Sequence, residues 1–144
     1  MKRRALQTVL RLRRLAVDAA KRELADRLAD ESEAAALEEA AEAAIRLEAE
    51  VATSLYADDS AVEAFAAWLP RGRAALDQAR RRREEAELSV TRARAALRIA
   101  RADQAAVQQV LAAHDAARLA ETARRGQAAL DEAALECHRR RDDD

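Results

Sequence analysis

The stretch Ala57-Asp58-Asp59-Ser60-Ala61-Val62-Glu63 interrupts a chain otherwise made almost entirely of helix-forming residues. Ser60 is followed three residues later by Glu63, which is the spacing of a capping box. In that motif each side chain accepts a hydrogen bond from a backbone amide at the start of a helix. Asp58 and Asp59 add negative charge near the positive end of the same helix. The stretch predicts a turn at about residues 57–60, followed by a new helix.

Upstream of this turn, no glycine or proline occurs from Lys2 to Tyr56. Apolar residues recur there at helical spacing, which predicts a first helix over about residues 3–56. They are Leu6, Leu10, Val17, Leu24, Leu28, Leu37, Ala41, Ala44, Val51 and Leu55. Between Leu28 and Leu37 the spacing leaves the heptad phase, which predicts a stutter in the supercoil.

Downstream of the turn, two rows of residues at seven-residue steps predict a second helix over about residues 61–138. One row is Val62, Leu69, Leu76, Arg83, Val90, Leu97, Gln104 and Leu111, and the other is Phe65, Gly72, Ala79, Ala86, Ala93, Ala100, Val107 and His114. The phase crosses Pro70 unbroken, which favours one helix kinked at that proline. A turn at Pro70–Gly72 is the alternative. Beyond Leu111 the rows lose their apolar character.

Composition and charge favour two helices packed along a thin seam. Hydrophobic residues make up 50% of the chain and charged residues 37%, but aromatic residues only 2%, a balance typical of coiled coils. From Asp18 to Glu50 there are eleven acids and four bases, whereas from Arg71 to Arg101 there are ten bases and four acids. Folding back at the turn pairs these blocks, and such charges select orientation and register. We predict an all-α fold, a single domain over residues 1–144 built as a long antiparallel two-helix coiled-coil hairpin.

This hairpin predicts an unequal pairing of the two helices. With the turn near residue 59, Lys2 lies opposite about residue 116, and roughly the last 28 residues extend as an unpaired helix. That helix ends in the basic run Arg139–Arg141, and an unpaired helix with spare apolar residues needs a partner. The closing Asp142–Asp144 is expected to be a frayed tail.

The chain lacks the residue constellations that catalysis or metal binding requires. Its single Cys137 cannot form an internal disulfide and suits a reducing compartment. With His138 it supplies at most two metal ligands, too few for structural zinc. The formal net charge of −1 argues against nucleic-acid binding, and no apolar run approaches the roughly 18 residues that span a bilayer. We predict a protein that is not an enzyme and has no cofactor, metal, nucleic-acid partner or stable membrane insertion.

Two stretches remain as candidates for partner binding. The basic segment Lys2–Arg14 is either a solvated helix end or a site for an acidic protein, a membrane surface or nucleic acid. An organelle transit peptide also stays open there. In Phe65–Arg73, the aromatic Trp68 lies beside the seam position Leu69, so it either leans over the seam or anchors a partner.

Three stretches resemble the FliJ family of flagellar export proteins. They are the opening Leu6-Gln7-Thr8-Val9-Leu10-Arg11-Leu12-Arg13-Arg14-Leu15-Ala16-Val17-Asp18, the element Phe65-x-x-Trp68-Leu69 after the turn, and the closing Ala129-Leu130-Asp131-Glu132-Ala133-Ala134-Leu135. The resemblance covers nearly the whole chain. The family usually carries leucine where this chain has Gly72.

The resemblance implies a function and two partners. FliJ proteins are similar to the central stalk subunit of rotary ATPases: their terminal helices enter the hexameric ring of the export ATPase FliI. The region after the turn contacts the export gate protein FlhA. The implied location is cytoplasmic, at the inner-membrane export apparatus. The alternative is a coiled-coil scaffold or stalk of another assembly, including injectisome-type secretion systems.

The same resemblance implies two sets of binding residues. The ATPase end comprises Lys2–Arg14 and Arg124–Arg141. The residues expected to bind the ATPase are Arg3, Arg4, Leu6, Leu10, Arg11, Arg14, Arg124, Arg125, Leu130 and Leu135. The residues expected to bind the gate are Phe65, Trp68, Leu69 and Ala75.

Overall fold

The computed structural model describes residues 3–142, and their side chains over residues 3–141. Two helices, α1 (Arg3–Ala52) and α2 (Asp59–Asp142), account for nearly all of them, and none of these residues lies in a strand. The helices pack against each other as a hairpin, which confirms the predicted all-α antiparallel fold. Lys2 and the last two residues of the expected frayed tail lie outside the described residues.

The first helix ends four residues earlier than the predicted boundary. Two hydroxyl groups bond to carbonyls of its last turn: Thr53 Oγ1 donates to the Ala49 carbonyl at 2.8 Å, and Ser54 Oγ donates to the Val51 carbonyl at 3.1 Å. The Ser54 bond occupies a carbonyl that the next turn of helix would use, whereas the Ala49 carbonyl also accepts the ordinary helical bond from the Thr53 amide at 3.0 Å. The prediction that Leu55 lies in the seam is therefore wrong, because that residue lies in the turn and is fully exposed.

The second helix begins with a cap different from the predicted capping box. Asp58 Oδ1 accepts a hydrogen bond from the Ala61 amide at 3.0 Å and another from the Ser60 hydroxyl at 2.8 Å. Asp58 is thus the N-cap residue, and the Ser60–Glu63 capping box is wrong. The Asp58 carboxylate satisfies an unpaired amide of the first turn, as a capping hydroxyl would, and adds a charge that the helix dipole favours. The two hydrogen bonds, that from Ser60 first, lower the pKa of Asp58.

Contacts group the chain into two compact units, Ala16–Ala100 and Met1–Leu15 with Arg101–Asp144. In the first unit, which we call the turn unit, α1 keeps a strict heptad seam. Half-buried or buried side chains occupy its heptad positions Val17, Ala20, Leu24, Arg27, Glu31, Ala34, Glu38, Ala41, Ile45 and Ala52, whereas the heptad position Glu48 is exposed. The predicted stutter is wrong: Leu28 and Leu37, which suggested it, are 40% and 45% exposed and lie off the seam. Charged side chains take seam positions because their aliphatic stems can pack while their heads reach water.

In the same unit, α2 follows its predicted rows except at Val62 and Arg83, which are exposed. Ala79, Val90, Ala93 and Leu97 are buried, and the helix runs through Pro70 without a break. The alternative turn at that proline is therefore wrong, whereas a bend there stays a prediction.

Ion pairs between the helices fix the register of the turn unit. Arg83 Nη1 lies 3.0 Å from Glu38 Oε2, and Arg80 lies 3.1 Å from Glu42 and 3.5 Å from Glu38. Glu38 is the most buried of these charges, and its carboxylate raises the pKa of Arg83. These contacts pair the acidic block of α1 with the basic block of α2, as the charge pattern predicts.

In the second unit, which we call the terminal unit, the charges are reversed. Arg3 donates two hydrogen bonds to Asp115, at 2.9 and 3.2 Å, and Arg13 donates one to Asp103 at 2.9 Å. Here the bases lie on α1 and the acids on α2. Between these two pairs, Leu6 and Leu10 are buried, so this short seam combines apolar packing with an ion pair on each side.

Candidate partner-binding surfaces

In the basic start of α1, some arginines form ion pairs within the chain and others are exposed. Arg3 is held by Asp115, and its hydrogen bond lowers the pKa of that carboxyl group. Arg4, Arg11 and Arg14 are exposed. This surface therefore presents positive charge, although one of its predicted binding residues is engaged within the chain.

Apolar residues of the same segment divide between the seam and the surface. Leu6 and Leu10, both predicted to bind the ATPase, are buried in the seam, whereas Leu12 and Leu15 are more than half exposed. Sequence reasoning missed this exposed pair because it looked for the seam alone. Leu12 lies two residues after the buried Leu10 and Leu15 two residues before the buried Val17, a spacing that turns a side chain away from the seam and could have identified them.

We call residues 122–141 of α2 the C-terminal segment. It contains no buried side chain. Its predicted binding residues Arg124 and Arg125 are 78% exposed, and both pair with Glu121 on their own helix, at 2.7 and 2.8 Å. Leu130 and Leu135, also predicted to bind, are 67% and 59% exposed. The segment thus displays apolar and basic side chains together.

Small and apolar residues form a regular stripe along this end of α2. Its members are spaced alternately by four and three residues, the spacing of a coiled-coil seam. This stripe, which we call the C-terminal stripe, consists of the exposed residues Leu119, Ala123, Gly126, Leu130, Ala133 and Cys137. It begins one position after Arg118, where the hairpin seam carries charge. The phase change therefore turns a new apolar face outward, where the hairpin does not cover it.

Near the start of α2, the predicted gate-binding residues form an aromatic cluster. The rings of Phe65 and Trp68 are stacked, with centroids 6.4 Å apart and an interplanar angle of 27°. A Cβ atom added to Gly72 would lie 2.6 Å from Trp68 Cη2, so the indole rests on the glycine backbone. Phe65, Trp68 and Leu69 are half-buried, and Ala75 is exposed. The indole leans on its own helix and keeps part of its surface open to a partner.

The turn itself exposes large apolar residues that sequence reasoning did not treat as a site. Leu55 is 100% exposed and Tyr56 is 98% exposed, and Leu47, Val51 and Val62 beside them are each more than half exposed. We call these five residues the turn surface. For Leu55 and Tyr56, the signal is their position between the hydroxyl residues Thr53 and Ser54 and the capping Asp58.

Two other kinds of site are absent from the described residues. Neither α1 nor α2 contains, within the described residues, a stretch apolar enough to cross a bilayer. Among residues 3–142, no group of three or more His, Cys, Asp or Glu side chains is placed to hold a metal ion.

Comparison with known proteins gave one match. The family model described as "Flagellar FliJ protein" matches residues 1–143 of the chain. No curated protein and no solved structure matched it.

Proposed function

The chain belongs to the flagellar FliJ protein family, and on that premise we propose that it is a stalk coupling the export ATPase FliI to the export gate FlhA. Membership assigns it a role in flagellar protein export, in a family of structural or regulatory stalk proteins. The coupling, the two partners and a cytoplasmic position at the inner-membrane export apparatus are our proposal. The observation that carries it is the exposed C-terminal stripe.

The C-terminal stripe supports the ATPase end of the proposal. A helix that exposes apolar residues at heptad spacing has an uncovered hydrophobic face. Burying that face against a partner protein favours association. Small residues at Ala123 and Gly126 let a partner backbone approach closely. Leu119 and Leu130 are eleven residues apart and so lie on the same side of the helix. We propose that this stripe contacts the interior of the FliI hexamer.

Charge and apolar packing in the terminal unit give the start of α1 a complementary role. Arg4, Arg11 and Arg14 are exposed and can bind acidic groups of the ATPase. Leu6 and Leu10 are buried, so they hold α1 against α2 and position those arginines. Arg124 and Arg125 extend the basic surface along the C-terminal segment.

The aromatic cluster supports the gate end. Trp68 and Phe65 present a stacked pair with a partly open surface, and aromatic residues of this kind dominate the energetics of many interfaces. Leu69 and Ala75 are the other residues we propose for this contact.

The mechanism that follows is mechanical and allosteric. A single helical hairpin inside a six-subunit ring cannot contact all subunits alike. It therefore binds some subunit conformations more tightly than others and shifts their populations. The hairpin supplies differential contacts, and the hydrolysis of ATP remains with the ring.

The ATPase rate of purified flagellar FliI tests the proposal. The wild-type chain should raise that rate, and the double variant Leu119→Ser/Leu130→Ser should need about tenfold more protein for the same effect, because it removes two apolar anchors. Leu88→Ser, another exposed leucine of α2, is the matched control and should behave as wild type.

Two results would count against the proposal. The wild-type chain could fail to stimulate FliI and fail to co-elute with it, which would remove the stalk role. Stimulation of an injectisome ATPase without stimulation of FliI would instead support the alternative, a stalk of another secretion system.

A further inference from the structure

The turn surface is apolar beyond what the fold requires. The structure of the turn depends on the hydroxyls of Thr53 and Ser54 on one side and the carboxylate of Asp58 on the other. Leu55 and Tyr56 lie between these caps, and their side chains are 100% and 98% exposed. Isolated exposed apolar residues are common, but a leucine and a tyrosine side by side and uncovered gain nothing from intramolecular packing.

The caps also hold this surface in place. The Thr53 amide donates to the Ala49 carbonyl at 3.0 Å, and the Ala57 amide donates to the Ser54 carbonyl at 3.0 Å. Backbone bonds thus bracket Leu55 and Tyr56 on both sides. A surface held in one conformation loses less entropy on binding than a mobile loop.

Charge near Leu55 and Tyr56 is of one sign. Between Arg46 and Arg71 there are five acids, Glu48, Glu50, Asp58, Asp59 and Glu63, and no base. The apolar residues are therefore flanked by carboxylates from both helix ends. A complementary surface has an apolar socket and a border of lysine or arginine.

We propose that the turn surface is a docking site for a protein with a basic-bordered apolar socket, with Leu55 and Tyr56 as the inserted anchors. We take that protein to be the gate protein FlhA, and this identification rests on the proposed function. The contact is additional to that of the aromatic cluster, which lies farther along α2.

The same charges disfavour two other occupants. A second copy of this chain would bring five acids against five acids, and like charges at an interface oppose association. Membranes with anionic lipids repel a carboxylate-rich surface for the same reason.

Binding of the purified cytosolic domain of the gate protein FlhA tests the inference, with the full chain and its variants measured by calorimetry. The variant Leu55→Ser/Tyr56→Ser should bind about tenfold more weakly or worse, because interface anchors carry most of the binding energy. Glu48→Lys/Glu50→Lys should also weaken binding. Wild-type binding should weaken as salt rises from about 0.1 M to about 0.5 M.

Leu88→Ser, on the same helical unit but away from the turn, is the matched control and should bind like wild type. Circular dichroism should show equal helicity in all variants, since none of the substitutions touches a cap. The ATPase stimulation of the Leu55→Ser/Tyr56→Ser variant should remain that of wild type, because its terminal unit is unchanged.

Several outcomes would overturn the inference. Equal gate binding by wild type and the turn variant would do so, as would a wild-type chain that stimulates the ATPase but does not bind the gate domain. Turn-dependent binding to zwitterionic or anionic lipid vesicles would assign the surface to a membrane instead. Failure of ATPase stimulation with intact turn-dependent gate binding would reject the stalk proposal and leave this inference standing.

Discussion

At the residue scale, the absence of a side chain at position 72 decides where the indole of Trp68 lies. The ring occupies the space that a Cβ atom of Gly72 would fill, and it stacks on the ring of Phe65. Glycine in a helix interior costs about 1 kcal/mol relative to alanine, so this position trades helix propensity for a fixed aromatic ring. The resemblance to FliJ proteins predicts leucine there, and a leucine would push the indole outward.

We expect Gly72→Ala to displace the indole and shift the emission of Trp68, the only tryptophan of the chain, to longer wavelength. The physical reason is the 2.6 Å separation between the added Cβ atom and Trp68 Cη2. Gly126→Ala is the matched control, because no atom lies within 4 Å of its Cβ position. It should raise helicity without changing the emission. Unchanged emission in both variants would show that the ring does not rest on Gly72.

At the element scale, α2 begins where a carboxylate caps it, so the start of the helix depends on pH. The hydrogen bonds to Asp58 lower its pKa below the ordinary value of 3.8. A carboxyl group with a lowered folded-state pKa stabilises the fold above its unfolded-state pKa, and that stabilisation disappears as the pH falls through the folded-state pKa. The cap therefore loosens in acid.

We expect the melting temperature of the wild-type chain to fall on acidification below about pH 4 more steeply than that of Asp58→Asn. Asparagine keeps a capping oxygen but does not titrate. Thermal melts followed by circular dichroism at several pH values measure the difference. Asp59→Asn is the control, because Asp59 is the adjacent carboxylate on the same helix start. Parallel pH profiles for wild type and Asp58→Asn would contradict a capping role for the charged carboxylate.

At the scale of the whole molecule, charge selects a single antiparallel pairing. In the turn unit an acid of α1 meets a base of α2, as in Glu38–Arg83, and in the terminal unit a base of α1 meets an acid of α2, as in Arg13–Asp103. A parallel arrangement would set like charges against each other within the blocks. Each exposed pair stabilises the fold little, but together the pairs disfavour a parallel arrangement of the helices.

The sequence predicted the fold class and the seam of α2 because alanine, valine and leucine repeat there at strict seven-residue steps. It misjudged α1, since pattern reading favours leucines such as Leu37 over the aliphatic stem of Glu38, which takes the seam position. It also extended α1 to about residue 56, because apolar spacing continues past Ser54, whose hydroxyl bonds to the Val51 carbonyl at 3.1 Å.

The candidate binding residues were predicted less completely than the fold. Arg124, Leu130 and the aromatic pair at the start of α2 lie on exposed or half-exposed surface, and their binding roles stay predictions. Leu55 escaped notice because a residue at the end of an apolar repeat is read as core, and Tyr56 because it was placed at the end of the predicted first helix. Whether a side chain is covered depends on where the opposite helix ends, which local spacing does not specify.

The claim that the C-terminal stripe enters the ATPase can be tested at Cys137, the chain's single cysteine, which is exposed. A photoreactive maleimide attached there should cross-link to FliI on illumination of the assembled complex. The control, Cys137→Ser/Leu88→Cys, carries the same label at an exposed position of the turn unit and should give little product. We predict a strong product with FliI from Cys137. A complex that co-elutes yet cross-links to FliI only from position 88 would contradict the proposed contact.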